Sequence, residues 1–153
     1  MIILDTNILS EIMRPKPDQA VVRWVTDVAG DELWTTAITV AEIRYGIERL
    51  PYGSRKLEIS ATAERAFGLV RDRVLAFDAA AAREYALLVA ERGRAAKPID
   101  GFDGQIAAIC RCHGASLATR NVKDFPGTGI ELLDPWQRPP TASLSGHNAR
   151  AGA

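Results

Sequence analysis

The 153-residue chain is 47% hydrophobic and 25% charged, the composition of an ordinary globular domain with enough residues to bury a core unaided. Nineteen Lys plus Arg balance nineteen Asp plus Glu, which excludes long-range attraction of an anionic partner; binding to nucleic acid must use a local basic patch. No stretch approaches the ~18 uninterrupted apolar residues of a membrane span, and no basic region precedes Ile2–Leu4, which argues against a signal peptide.

Ile2 to Leu4 is too short for a buried helix and too uniformly apolar for a half-exposed strand, so it reads as a central parallel strand ending on Asp5. Ile8, Leu9, Ile12 and Met13 recur at helical spacing until Pro15 and Pro17. A second helix is predicted over 19–28, with Val21, Val22, Trp24, Val25 and Val28 inward. Residues 32–37 are strand-like, 39–50 helical, and 55 to about 70 a long helix rich in alanine and charge. A third strand spans 74–77, after which Asp78 caps a helix over 79–91. Residues 92–98 (RGRAAKP) read as a basic loop. A helix over 100–112 is closed by His113-Gly114, and strands over 116–119 and 130–133 complete the set.

Cys110 and Cys112, two apart on that helix, point in different directions, so neither a disulfide nor a zinc pair is expected and a reduced, cytosolic compartment fits. Trp24 and Trp34 read as core. Alternating strands and helices imply a single α/β sandwich on a parallel sheet. From Arg138 the composition turns to Pro, Ser, Gly and Ala, so 138–153 is expected to be a disordered tail and 1–137 the domain.

Ligands of open parallel sheets bind beyond the carboxyl ends of the strands, and acids cluster there. Asp5 follows the first strand and Glu42 opens the helix after the second. Asp103 opens the helix that enters the fourth strand, while Asn121 and Asp124 follow that strand. Each has a local alternative. Asp5 could be an N-cap, and Thr39-Val40-Ala41-Glu42 matches a capping box. Asp103 could complement its helix dipole, and Asp124 could be a solvated loop residue. As a set they would repel one another unless a cation lay between them. Oxygen donors without His or Cys suit a hard ion such as Mg²⁺ or Mn²⁺. Arg92, Arg94, Lys97, Arg120 and Lys123 lie near the same segments, as a solvated loop or as phosphate contacts.

Asp5-Thr6-Asn7, Glu42 in Ala41-Glu42-Ile43, Asp103 in Asp103-Gly104-Gln105-Ile106-Ala107-Ala108, and Thr119-Arg120-Asn121 with Asp124-Phe125 together resemble a PIN domain. The nearest group is the VapC-type toxins, including the FitB-like subgroup. The resemblance runs over roughly 1–137, ending at Asp134-Pro135-Trp136. It implies a three-layer sandwich on a five-stranded parallel sheet and a metal-dependent ribonuclease. It further implies a dimer, or a hetero-oligomer with a VapB-type antitoxin that holds it inactive. Carried over by position, Asp5 and Asp103 become the principal metal ligands and Glu42 a further acid. Asn121 stands where many members carry an acid, so Asp124 or Asn121 completes the set. Thr6 and Asn7 are expected to hydrogen-bond the ligand carboxylates.

Two rivals remain at this level. An aspartate-nucleophile phosphatase also places an acid after its first strand, but it wants a second acid two residues on, where this chain has Asn7. A non-catalytic nucleic-acid or protein-binding module with a degenerate site is the other.

Overall fold

A computed structural model describes residues 1–137; the expected tail over 138–153 lies outside the described residues. β1 (Ile2–Leu4), β2 (Leu33–Thr36), β3 (Val74–Leu75), β4 (Ser116–Ala118) and β5 (Leu132–Leu133) form one parallel sheet in the order β3-β2-β1-β4-β5. The helices are α1 (Thr6–Ile12), α2 (Gln19–Asp27), α3 (Ala37–Glu48), α4 (Ser54–Gly68), α5 (Ala79–Arg94) and α6 (Gly101–His113). Short 3-10 turns span Gly30–Glu32 and Val122–Asp124.

The period-two geometry of β1 builds both cores. Ile2 and Leu4 face one side, where they join Ile8 and Leu9 of α1, Val21, Trp24 and Val25 of α2, Ile43 and Ile47 of α3, and Ala63 of α4. Ile3 faces the other, with Ala81 and Leu88 of α5 and Ile106, Ala107, Ile109 and Cys110 of α6. Three layers follow directly: four helices, the sheet, two helices. Trp34 packs half-buried against the second core. Cys110 is buried and Cys112 exposed, and the two are not bonded to each other. Among the described residues no helix is long and apolar enough to cross a membrane.

Strand order runs outward from β1 to β3 and then returns to β4 on the other side of β1. The topological switch point therefore lies between β1 and β4. Their register pairs Ile3 with Leu117 and Leu4 with Ala118, and the Asp5 amide donates to the Ala118 carbonyl at 3.1 Å. The chain thus leaves both strands at one level, which brings Asp5 and Thr119 side by side.

Several boundaries differ from the sequence reading. β3 and β5 are two residues long, because at the edges only the stretch facing a paired neighbour is held in the ladder. α3 starts at Ala37, with Thr36 as N-cap accepting from the Thr39 amide at 3.0 Å. That amide is occupied, so the capping box assigned to Thr39 and Glu42 does not form, and Glu42 sits in the second helical turn. α5 continues to Arg94, so Arg92 is helical rather than part of a loop. α6 ends on Gly114 in the left-handed conformation at φ 57°, as the His113-Gly114 pair predicts.

The carboxyl end of the sheet is fixed by a fully buried hydroxyl: Thr35 Oγ1 donates to the Leu4 carbonyl at 2.9 Å. Thr35→Val keeps the shape and removes that donor. We expect it to destabilise by about 1–2 kcal/mol, or roughly 2–4 °C of melting temperature per kcal/mol. An unchanged melting curve would show that the carbonyl is fully satisfied by the strand ladder.

Candidate active site

Asp5 is 4% exposed, and its carboxylate does two things at once. One oxygen caps α1 by accepting from the Asn7 backbone amide. The other accepts from the Asn7 side-chain amide at 3.2 Å. Burial pushes its pKa above the usual carboxylate value, while the Thr119 hydroxyl and both Asn7 donors act against that rise. Asp5 is therefore an N-cap, and its charge also reaches Asp103; the two readings are not exclusive.

Glu42 is held from the neighbouring helix. Thr6 Oγ1 at the start of α1 donates to Glu42 Oε2 at 2.6 Å, across 36 residues of sequence. The N-cap of α6 is Asp100, which accepts from Phe102 N at 3.0 Å. Asp103 is thereby relieved of capping duty, and it stands half-buried in the first turn. Its pKa is raised to about 6, first by desolvation and then by the charges of Asp100, Asp5, Asp124 and Glu42. Asp5, Glu42 and Asp124 thus lie within electrostatic reach of Asp103.

Asp103 and Asp124 share a cleft of about 550 Å³ with Lys97, Pro98, Asp100 and Lys123. Asn121 is half-buried at the start of the Val122–Asp124 turn, its amide donating to Thr119 Oγ1 at 3.0 Å. Arg94, Lys97, Arg120 and Lys123 are exposed. Arg92 is not: only 7% exposed, it turns inward. Its guanidinium donates to the Pro126 carbonyl, to Asp124 O at 3.2 Å and to Pro98 O at 3.4 Å. Arg92, expected from the sequence to contact RNA, braces the two loops that carry the cleft through both terminal nitrogens, while its buried Nε has no partner among the described residues. Thr119 went unassigned in the sequence; the signal available was a hydroxyl residue at the carboxyl end of a strand adjacent to β1.

An all-oxygen donor set is what a hard divalent ion requires. Among the described residues no three acidic, His or Cys side chains are close enough to enclose an ion unaided. A divalent ion held there would take one or two of these carboxylates and complete its shell with water or substrate oxygens.

A family model described as PIN domain matches residues 2–129. The VapC ribonuclease Y4jK of Sinorhizobium fredii is 38% identical, the alignment covering 90% of this chain and 99% of that protein. Toxin FitB of Neisseria gonorrhoeae is 35% identical, over 89% and 99%. Among solved structures, FitAcB from Neisseria gonorrhoeae superposes with a TM-score of 0.84 at 34% identity, covering 90% of this chain and 100% of that one. DNA-bound VapBC from Salmonella typhimurium gives 0.74 at 27%, covering 88% and 97%.

The raised pKa of Asp103 has a sign that can be measured. A folded-state pKa near 6 against an ordinary 3.8 means that, without metal, the folded state binds more protons than the unfolded one between those values. This contribution favours folding at low pH and is lost as pH rises through about 6. Above pH 7 in EDTA, Asp103→Asn should therefore melt higher than wild type and show a flatter pH dependence. Millimolar Mg²⁺ should stabilise wild type and hardly move the variant. If Asp103 only complements its helix dipole, the variant instead loses about 0.3–1 kcal/mol. Four melting curves decide: a variant that melts lower in EDTA and responds to Mg²⁺ like wild type returns Asp103 to that role.

Proposed function

The chain belongs to the PIN-domain family, and from that premise we propose that it is a Mg²⁺-dependent endoribonuclease, the toxin of a toxin–antitoxin pair. The observation that carries the reading is the placing of Asp5, Glu42 and Asp124 within electrostatic reach of Asp103 near the switch point of the sheet, where burial first and then these charges raise Asp103 to about 6. Relatives named as ribonucleases and toxins support the class.

Asp5 and Asp103 would hold the ion, Mg²⁺ or Mn²⁺, with Glu42 as a further acid and Asp124 or Asn121 completing the set. When bound, the ion supplies a more acidic water and neutralises charge on the phosphodiester. The remaining work belongs to the chain. Asn7 fixes the orientation of the Asp5 carboxylate. Thr6 fixes one oxygen of Glu42, which leaves the other to orient the attacking water and receive its proton. Thr119 holds the turn that carries Asn121, and Arg92 ties the Asp124 loop to the segment leading into Asp103. Lys97 and Lys123, on the rim of the cleft, would meet RNA phosphates; Arg94 and Arg120 extend the positive surface. Asn7 donates to Asp5 and has no proton-transfer group, which disfavours the phosphatase reading.

Purified protein should cleave single-stranded or looped RNA in Mg²⁺ or Mn²⁺. Excess EDTA or Asp5→Asn, which preserves a capping oxygen, should abolish cleavage, a loss of about 100-fold or more. Cleavage that survives EDTA would sink the metal mechanism, and release of phosphate from a small phosphomonoester would favour the phosphatase.

The FitAcB and VapBC neighbours support a VapB-type antitoxin as partner, a segment of which covers the acidic cleft. An Arg side chain would suit the site, since its guanidinium pairs bidentately with carboxylates. The purified pair should cleave RNA poorly until the partner is removed by denaturation or proteolysis, whereas full activity of the intact complex would count against this arrangement.

A further inference from the structure

Separate from the cleft bearing Lys97 and Lys123 is a groove of about 270 Å³, lined by Asn7, Ser10, Glu11, Arg14, Arg120 and Trp136. Asn7 belongs to both the groove and the acidic site, because its side-chain amide donates to Asp5. Arg120 follows Thr119 directly, and the Thr119 hydroxyl acts on Asp5. The groove therefore begins one side chain away from the carboxylates.

Its chemistry is that of an anion site with an aromatic floor. The Arg120 guanidinium lies over the Trp136 ring, 5.2 Å from its centroid. Trp136 is itself half-buried against the core under α1. Among the described residues Arg120 enters no ion pair. A guanidinium held over an aromatic ring has already lost part of the freedom that binding would remove. The one acid of the groove, Glu11, is spent: 6% exposed, it accepts from Asp18 N at 2.8 Å and pairs with Arg14 at 3.1 Å. The charge left to face a ligand is positive.

We propose that this groove is a nucleotide subsite for single-stranded RNA, in which Arg120, braced on Trp136, holds the phosphate next to the one presented to the carboxylates. The proposal rests on the nuclease reading. The fork of Arg120 grips phosphate oxygens in pairs, and its exposed plane stacks a nucleobase. Arg14, 62% exposed at its side chain, is paired with Glu11 at the outer edge, which leaves Arg120 as the uncompensated charge of the groove. Asn7 and Ser10 supply neutral polar groups between the two. A strand lying here passes Asn7, whose side chain touches Asp5, so its next phosphate is brought to the carboxylates.

The test separates binding from cleavage. A fluorescein-labelled twelve-nucleotide oligouridylate is titrated with the protein in EDTA, and anisotropy is followed over a range of salt. Arg120→Gln should bind roughly tenfold more weakly and lower the salt slope by about 0.7, the value of one single-strand phosphate contact. Arg65→Gln on α4, which lines neither groove, should change nothing. In Mg²⁺, Arg120→Gln should raise KM and leave kcat near wild type. The RNA-induced change in tryptophan emission should vanish in Trp136→Phe. Wild-type affinity and slope in Arg120→Gln would overturn the subsite, as would normal RNA binding combined with loss of antitoxin binding, which would assign the groove to the protein partner. Failure of the nuclease reading looks different: no cleavage by wild type in Mg²⁺, with the anisotropy titration intact.

Discussion

Placing a carboxylate at the end of a strand buried on both faces carries a desolvation cost, and the neighbourhood of Asp5 is arranged around it. The backbone of Asp5 joins β1 to β4 through Ala118. Its side chain starts α1 through the Asn7 amide, and the Asn7 side chain and Thr119 steady the charge that remains. Those partners offset burial only in part, since the pKa of Asp5 stays raised. The same residue that organises the centre of the fold is therefore left short of positive charge, at the point where the sheet topology opens a crevice.

The other acids sharpen this imbalance, and buried braces keep it from relaxing. Like charges within reach of one another favour spreading apart or protonation. Spreading is resisted because Glu42 is tied to Thr6, Asp103 sits on a helix capped separately by Asp100, and the Asp124 loop hangs on Arg92. Protonation is what remains, and at Asp103 it adds to the larger effect of burial to give a value of about 6. Arg92 thus serves the acids without approaching them as a counter-ion: its contacts are backbone carbonyls, which set loop position and leave the carboxylates unneutralised.

Much of this was written in local pattern. The short apolar run Ile2–Leu4 ending on Asp5 can only be a doubly covered strand, and its alternation gives both cores. Gly114 marks the end of α6 through its left-handed backbone. What local pattern could not supply was partnership at a distance. Thr36 and Thr39, three residues apart, both look like caps; the backbone entering α3 decides for Thr36. Arg92 reads as one of several basic residues, because the carbonyls it serves lie 32 and 34 residues further on. Thr119 has no signature except its place beside β1. The two-residue strands β3 and β5 end where their neighbours end, which composition does not encode.

The register of β1 against β4 also orders events in time. Ile2–Leu4 pair with Ser116–Ala118, more than a hundred residues later, and such a contact closes only when the intervening chain exists. On a ribosome, which releases the chain from its N-terminus onward, Asp5 and Glu42 emerge early and wait. Asp103, Thr119 and Asp124 arrive only as the domain nears completion. A stalled or prematurely ended product therefore carries half of the carboxylates and no crevice between β1 and β4 to gather them.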